Sequence, residues 1–147
     1  MKKILFVCAG NTCRSPMAEA VFNELAPQLP VDAAASSAGV AVYAPGPASP
    51  LSVQTMDSYG VDITNHTSRQ LTAEIISEAD AVYCMTDSVL AAVKAMFPEY
   101  TGVVALLDED GIADPYGGTA NDYDLAAMQI ISAVKKLLLD MKEQENG

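Results

Sequence analysis

The chain has 147 residues, half of them apolar, with 19 acidic against 8 basic side chains and a formal net charge of −11. That length fits one domain, residues 1–147, with a single core, and the apolar content excludes a disordered chain. So acidic a surface repels phosphate backbones and anionic lipids, which excludes nucleic acid and membrane as partners; a site for an anion must be made locally. The apolar run after Lys2 and Lys3 ends within about six residues, too short for a signal core or a membrane span. Cys8, Cys13 and Cys84 are an odd count, unlike a secreted disulfide framework. These features lead us to expect a soluble, cytoplasmic protein; nothing in the sequence sets its oligomeric state.

Lys3–Cys8 is a short apolar run without alternation, which predicts a strand buried on both faces, as in a parallel sheet. Ala9-Gly10-Asn11 breaks it, and Pro16 to Leu25 reads as a helix with proline in its first turn. Ala33 to Gly39 is a weak second strand, followed by a loop rich in Pro and Gly from Tyr43 to Pro50. A helix from Leu51 to Tyr59 ends at Gly60, and Ala79 to Met85 reads as the third strand. Ser88 to Phe97 is helical in pattern, Val103 to Leu107 the fourth strand, and Leu125 to Met141 a long amphipathic helix. Strands alternating with helices predict an α/β fold with a four-stranded parallel sheet and helices on both faces. Ligands bind such sheets at the carboxyl ends of the strands, which is where Cys8 falls.

Residues 8 to 16 read Cys-Ala-Gly-Asn-Thr-Cys-Arg-Ser-Pro. A bare Cys-x5-Arg spacing is weak evidence; its position between a buried strand and a helix start makes it informative. Gly10 and Asn11 tolerate left-handed backbone, so the loop from Ala9 through Thr12, Cys13 and Ser15 can curl with its N–H groups inward. A nest of amides at a helix N-terminus binds a tetrahedral dianion, and Arg14 can grip two phosphoryl oxygens in a fork. The same field favours the thiolate of Cys8, a nucleophile for in-line attack on phosphorus. The alternative is a structural cysteine at a strand end. Expulsion of a basic leaving group needs an acid, for which Asp114 in Asp114-Pro115-Tyr116-Gly117-Gly118 is the candidate. By itself that segment is a good turn.

These residues resemble the low-molecular-weight protein tyrosine phosphatase family, nearly end to end: an N-terminal Cys-x5-Arg-Ser-Pro loop, then Asp-Pro-aromatic about a hundred residues later. The resemblance implies Cys8 as nucleophile, Arg14 as phosphate ligand, and Asp114 as acid and then as base for water. It also implies a cysteinyl-phosphate intermediate, a phosphorylated protein as substrate, and no metal or other cofactor. Asn11, Ser15, Ser37 and His66, the last in Asn65-His66-Thr67-Ser68-Arg69-Gln70, resemble a family network that holds the loop in shape. His66, the only histidine, reads as a support in preference to a general base.

Two departures bear on substrate. Tyrosine-specific members usually carry a branched apolar residue where this loop has Thr12, and a second aromatic residue where this chain has Gly117. Both changes weaken an aromatic slot, and a hydroxyl at Thr12 suits a polar, planar guanidinium better. The loop and Asp-Pro-Tyr-Gly-Gly together resemble the protein-arginine phosphatase branch, and the reading leans to phosphoarginine with phosphotyrosine as the alternative. Tyr43, where tyrosine-specific members often place an aromatic wall, argues the other way; Tyr116 follows the candidate acid and would line the pocket. Cys8 and Cys13 share one tight loop, so Cys13 either forms a reversible disulfide with Cys8 or packs beneath the loop, and the sequence leaves both open. An arsenate reductase of the thioredoxin-linked kind would need two more cysteines after the third strand, and only Cys84 is there. A phosphoprotein-binding module without activity would usually lack the nucleophile or the acid.

Overall fold

A computed structural model describes residues 1–146 and places β1 (Lys2–Cys8) inside a sheet of order β2-β1-β3-β4, every pairing parallel. The other strands are β2 (Ala33–Gly39), β3 (Ala81–Cys84) and β4 (Val103–Leu106). Side chains alternate along a strand, so Ile4, Phe6 and Cys8 enter one core while Leu5 and Val7 enter another. This explains the unbroken apolar run: a strand with helices on both faces has no polar side.

The first core is closed by α1 (Arg14–Leu25), α2 (Pro50–Ser58) and α5 (Ala120–Asn146), through Met17, Phe22, Met56, Ile130 and Leu138 among others. The second is closed by α3 (Ala73–Ser77) and α4 (Asp87–Met96), through Ile76, Val89 and Val93. Phe6 and Phe22 meet edge to face at 5.9 Å and 63°, and full burial of each ring stabilises by about 1.5–3 kcal/mol. Cys8 pairs with Gly39 and Val7 with Cys84, so the carboxyl ends of the central strands lie level. The chain leaves β1 for one side and β3 lies on the other, and a crevice opens where the order reverses.

The third strand is shorter than the Ala79–Met85 expected from sequence, and three helices differ from the sequence reading. α1 begins at Arg14, two residues before the proline, so Arg14 and Ser15 are in its first turn. The five-residue α3 was absent from the pattern because it is too short to show a period; Thr72 starts it by accepting the N–H of Ile75 at 3.2 Å. α5 is longer at both ends. Thr119 and Asp122 cap its start reciprocally, with N–H to side-chain distances of 2.8 and 3.3 Å. Beyond Met141, Lys142 donates to the Pro30 carbonyl and Glu145 accepts from Asp32, contacts that leave no trace in an apolar stripe.

Candidate active site

The turn after β1 is forced by a single backbone reversal. Asn11 has φ +56°, a left-handed conformation that Asn tolerates better than most side chains. Gly10 does not use that freedom, contrary to the sequence reading; only Asn11 does. The reversal aims the Asn11 N–H at Cys8 Sγ, 3.2 Å away, and Ser15 Oγ lies 2.8 Å from the same sulfur. Cys13 occupies the N-cap position of α1 without capping it, so its side chain takes up none of the first-turn N–H groups. A helix N-terminus left uncapped beside such a loop is a place where an anion is favoured.

Asn11 is held in its uncommon conformation from behind. Its Nδ2 donates to Ser15 Oγ at 2.8 Å and Ser37 Oγ at 3.0 Å, and its Oδ1 accepts the Arg69 N–H at 3.0 Å. His66 Nε2 donates to the Asn11 carbonyl at 2.7 Å. The sequence therefore named four members, Asn11, Ser15, Ser37 and His66, which the fold brings into one contiguous network. It missed Glu19, whose Oε1 accepts from Ser37 Oγ at 2.6 Å. Glu19 is one helical turn after Ser15, a spacing that puts both on one face of α1 and was visible in the sequence.

Arg14 is almost wholly buried, with 6% of its side chain exposed, and donates from Nη1 to the Ile112 carbonyl at 3.0 Å. Its Nη2 lies 3.7 Å from Asp114 Oδ2. Asp114 is 59% exposed, so this is a weak ion pair that serves placement more than stability. The loop that carries it is shaped locally: Pro115 is buried, Tyr116 N–H donates to Asp114 Oδ1 at 3.0 Å, and Gly117 turns with φ +76°. That φ accounts for glycine where an aromatic residue would be strained.

Cys8, Ala9, Gly10, Thr12, Cys13, Arg14, Ala41, Asp114 and Tyr116 line one cleft of about 320 Å³. Tyr116, 78% exposed, forms its outer side. Tyr43 is a correction: its ring is 97% exposed and does not line the cleft, because the loop of prolines and glycine that follows β2 turns it outward, and Ala41 supplies the wall from that loop.

Cys13 and Cys8 are both free thiols with different surroundings. Cys13 Sγ lies 3.4 Å from Tyr123 Oη and 3.5 Å from Ser49 Oγ, beneath the loop. Burial, then the hydrogen bond to Cys13, raises the pKa of Tyr123 above the ordinary tyrosine value, so it stays a neutral phenol. Cys84 is in β3, and burial pushes its thiol up to about 12, which leaves it inert. Among the described residues no group of three or more His, Cys, Asp or Glu side chains is placed to hold a metal ion, and no helix is long and apolar enough to cross a membrane.

Comparison with known proteins follows the same lines. The family described as low molecular weight phosphotyrosine protein phosphatase matches residues 3–146. The protein-arginine-phosphatase of Bacillus subtilis (strain 168) is 33% identical over 146 residues, covering 95% of this chain and 97% of that protein. The probable low molecular weight protein-tyrosine-phosphatase EpsP of Ralstonia nicotianae is 39% identical over 119 residues, 79% of each. Among solved structures, a YwlE mutant from Bacillus subtilis matches with a TM-score of 0.92 at 31% identity, over 97% of this chain and 99% of that one. The low molecular weight protein tyrosine phosphatase from T. tengcongensis gives 0.90 at 35% identity, over 95% and 99%. With its fold and its sequence both matching along nearly the whole length, the chain belongs to the low molecular weight phosphotyrosine protein phosphatase family and is a protein phosphatase.

Proposed function

We propose that the enzyme hydrolyses phosphoarginine in proteins, with Cys8 as nucleophile, Arg14 as phosphoryl ligand and Asp114 as proton donor. The Cys8 thiolate attacks phosphorus in line; an S–P bond forms as the P–N bond to the guanidinium breaks. The inward N–H groups of residues 9–15 and the Arg14 fork carry the charge on the three equatorial oxygens. Asp114 gives its proton to the departing nitrogen, then takes one from the water that cleaves the S–P bond, which returns the thiolate and releases phosphate. Ser15 Oγ, 2.8 Å from the sulfur, stabilises Cys8 as the leaving group of that second step.

Relatives of both specificities match the chain, so the choice of substrate rests on the cleft's own residues. The observation that carries it is Thr12, which lines the cleft together with Cys8 where an aromatic substrate would want an apolar wall. Tyr43 turned out to solvent supports the same reading, since it offers no ring to stack on a phenyl group. Gly117, at its positive φ, leaves the far side of the cleft without a second aromatic.

The test compares kcat/KM on phosphoarginine and phosphotyrosine peptides of matched sequence, for the wild type and Thr12→Ile. The wild type is expected to favour phosphoarginine. Thr12→Ile removes a hydroxyl and adds apolar surface, which should swing the ratio toward phosphotyrosine by on the order of 10². A wild type that prefers phosphotyrosine overturns the assignment; a ratio that moves by less than about threefold removes Thr12 as the selector.

A further inference from the structure

One residue of the His66 segment has no place in the network behind Asn11. Gln70 is half-buried and turns its carboxamide away from that network, toward the chain that follows β2. Its Oε1 accepts the Val42 N–H at 2.8 Å, and its Nε2 donates to the carbonyls of Val40 at 3.0 Å and Leu71 at 3.3 Å. A carboxamide that takes one N–H and gives one to the C=O two residues earlier stands in for the peptide of an adjacent strand. Its backbone is fixed as well, since Gly39 and Gln70 form a parallel bridge in which Gly39 N–H donates to the Arg69 carbonyl at 2.9 Å and Leu71 N–H donates to the Gly39 carbonyl at 2.8 Å.

The other edge of Val40–Val42 lies on the phosphate loop. Val40 N–H donates to the Cys8 carbonyl at 3.1 Å and Ala41 N–H to the Ala9 carbonyl at 2.9 Å. The approach is so close that a Cβ on Gly39 would sit 2.5 Å from the Ala9 carbonyl oxygen. These contacts fix two peptide planes. In a trans peptide the C=O of one residue and the N–H of the next point opposite ways. Holding the Cys8 and Ala9 carbonyls outward therefore turns the Ala9 and Gly10 N–H groups inward, to the side where a phosphoryl oxygen would lie.

We propose that Gln70 is a positioning residue: through Val40–Val42 it sets the orientation of the Ala9 and Gly10 amides, and with it the affinity of the loop for phosphoryl oxygens. This rests on the reading of residues 9–15 as the phosphoryl cradle. Gln70 touches neither substrate nor Cys8; it acts through a three-residue segment in which, among the described residues, no other side chain is bonded to both the Val40 carbonyl and the Val42 N–H.

The experiment uses the whole protein and inorganic phosphate as a competitive inhibitor of turnover on a small aryl phosphate. Gln70→Met keeps the length of the side chain and removes both hydrogen bonds to the segment. The expected result is phosphate inhibition weaker by about tenfold and a fall in kcat/KM of similar size. Amide spectra should show the Ala9 and Gly10 N–H resonances responding less to added phosphate than in the wild type. Thermal melting checks that the variant is folded; should it not fold, Gln70→Glu, which keeps the acceptor for Val42 but cannot donate to Val40, is expected to weaken phosphate in the same sense. A folded variant with wild-type phosphate inhibition and unchanged amide responses overturns the inference while leaving the cradle intact. A wild type whose Ala9 and Gly10 amides ignore phosphate removes the cradle reading, and this inference with it.

Discussion

The two loops that meet across the cleft are built on opposite plans. In residues 8–15 the side chains of Cys8, Asn11, Cys13, Arg14 and Ser15 are buried, and Asn11 by itself is hydrogen-bonded to five other residues. The segment from Ala113 to Gly118 is largely exposed, anchored by the buried Pro115, a short turn and the Gln129 side chain on Ala113 N–H. The difference suits the roles proposed for the two sides. Charge on a phosphoryl group is stabilised best by dipoles that need not reorganise during the step, which demands a rigid nest. A proton donor must meet leaving groups of varied shape and let product out, which an exposed carboxylate on a small turn permits.

If the plans differ in this way, damage to the buried loop should be independent of the leaving group. Cys8→Ser is expected to reduce turnover on every substrate to below about one per cent of wild type while phosphate still binds, because the amide nest survives the exchange of sulfur for oxygen. Binding measured by calorimetry alongside turnover checks this, and activity above a few per cent in a clean preparation contradicts the assignment of the nucleophile.

The exposed loop should respond in a graded way. Asp114→Asn is expected to lower kcat by roughly 10² to 10⁴ on substrates with basic leaving groups and by clearly less on an activated aryl phosphate, which needs little protonation. Equal losses on both would make Asp114 a structural partner of Arg14, with the 3.7 Å contact as its whole purpose. Comparison of the two substrates in one preparation decides between these outcomes.

The smallest effect concerns reserve chemistry beneath the buried loop. Peroxide converts a reactive thiolate to a sulfenic acid, and a second thiol that condenses with it releases water and leaves a reducible disulfide. Cys13 can serve only by turning from Tyr123 and Ser49 toward Cys8. After peroxide treatment, dithiothreitol is expected to restore more activity to the wild type than to Cys13→Ser, by a few fold. Equal recovery in both would assign Cys13 to packing and to its hydrogen bond with Tyr123 alone.

The sequence by itself determined the part of this enzyme that is contiguous. A strand buried on both faces, a turn that needs Asn at a left-handed position and a helix start all lie within residues 2–25, so their order alone puts Cys8, Arg14 and Ser15 around one point. The network members Ser37 and His66 were legible only because their short motifs resemble a known pattern. Only the tertiary structure decided what depends on register and packing between distant segments. Parallel pairing of β1 with β2 brings Ser37 beside Asn11, and packing of α5 brings Tyr123 under Cys13. The Ile112 carbonyl reaches Arg14 from 98 residues away, and the Gln70 side chain completes the edge of a segment 28 to 30 residues before it. The outward turn of Tyr43 and the placing of Ala41 in the wall belong to the same class. Each depends on contacts between segments far apart in the chain, whose partners are chosen by the sheet and the core and carry no periodic or compositional mark in the sequence.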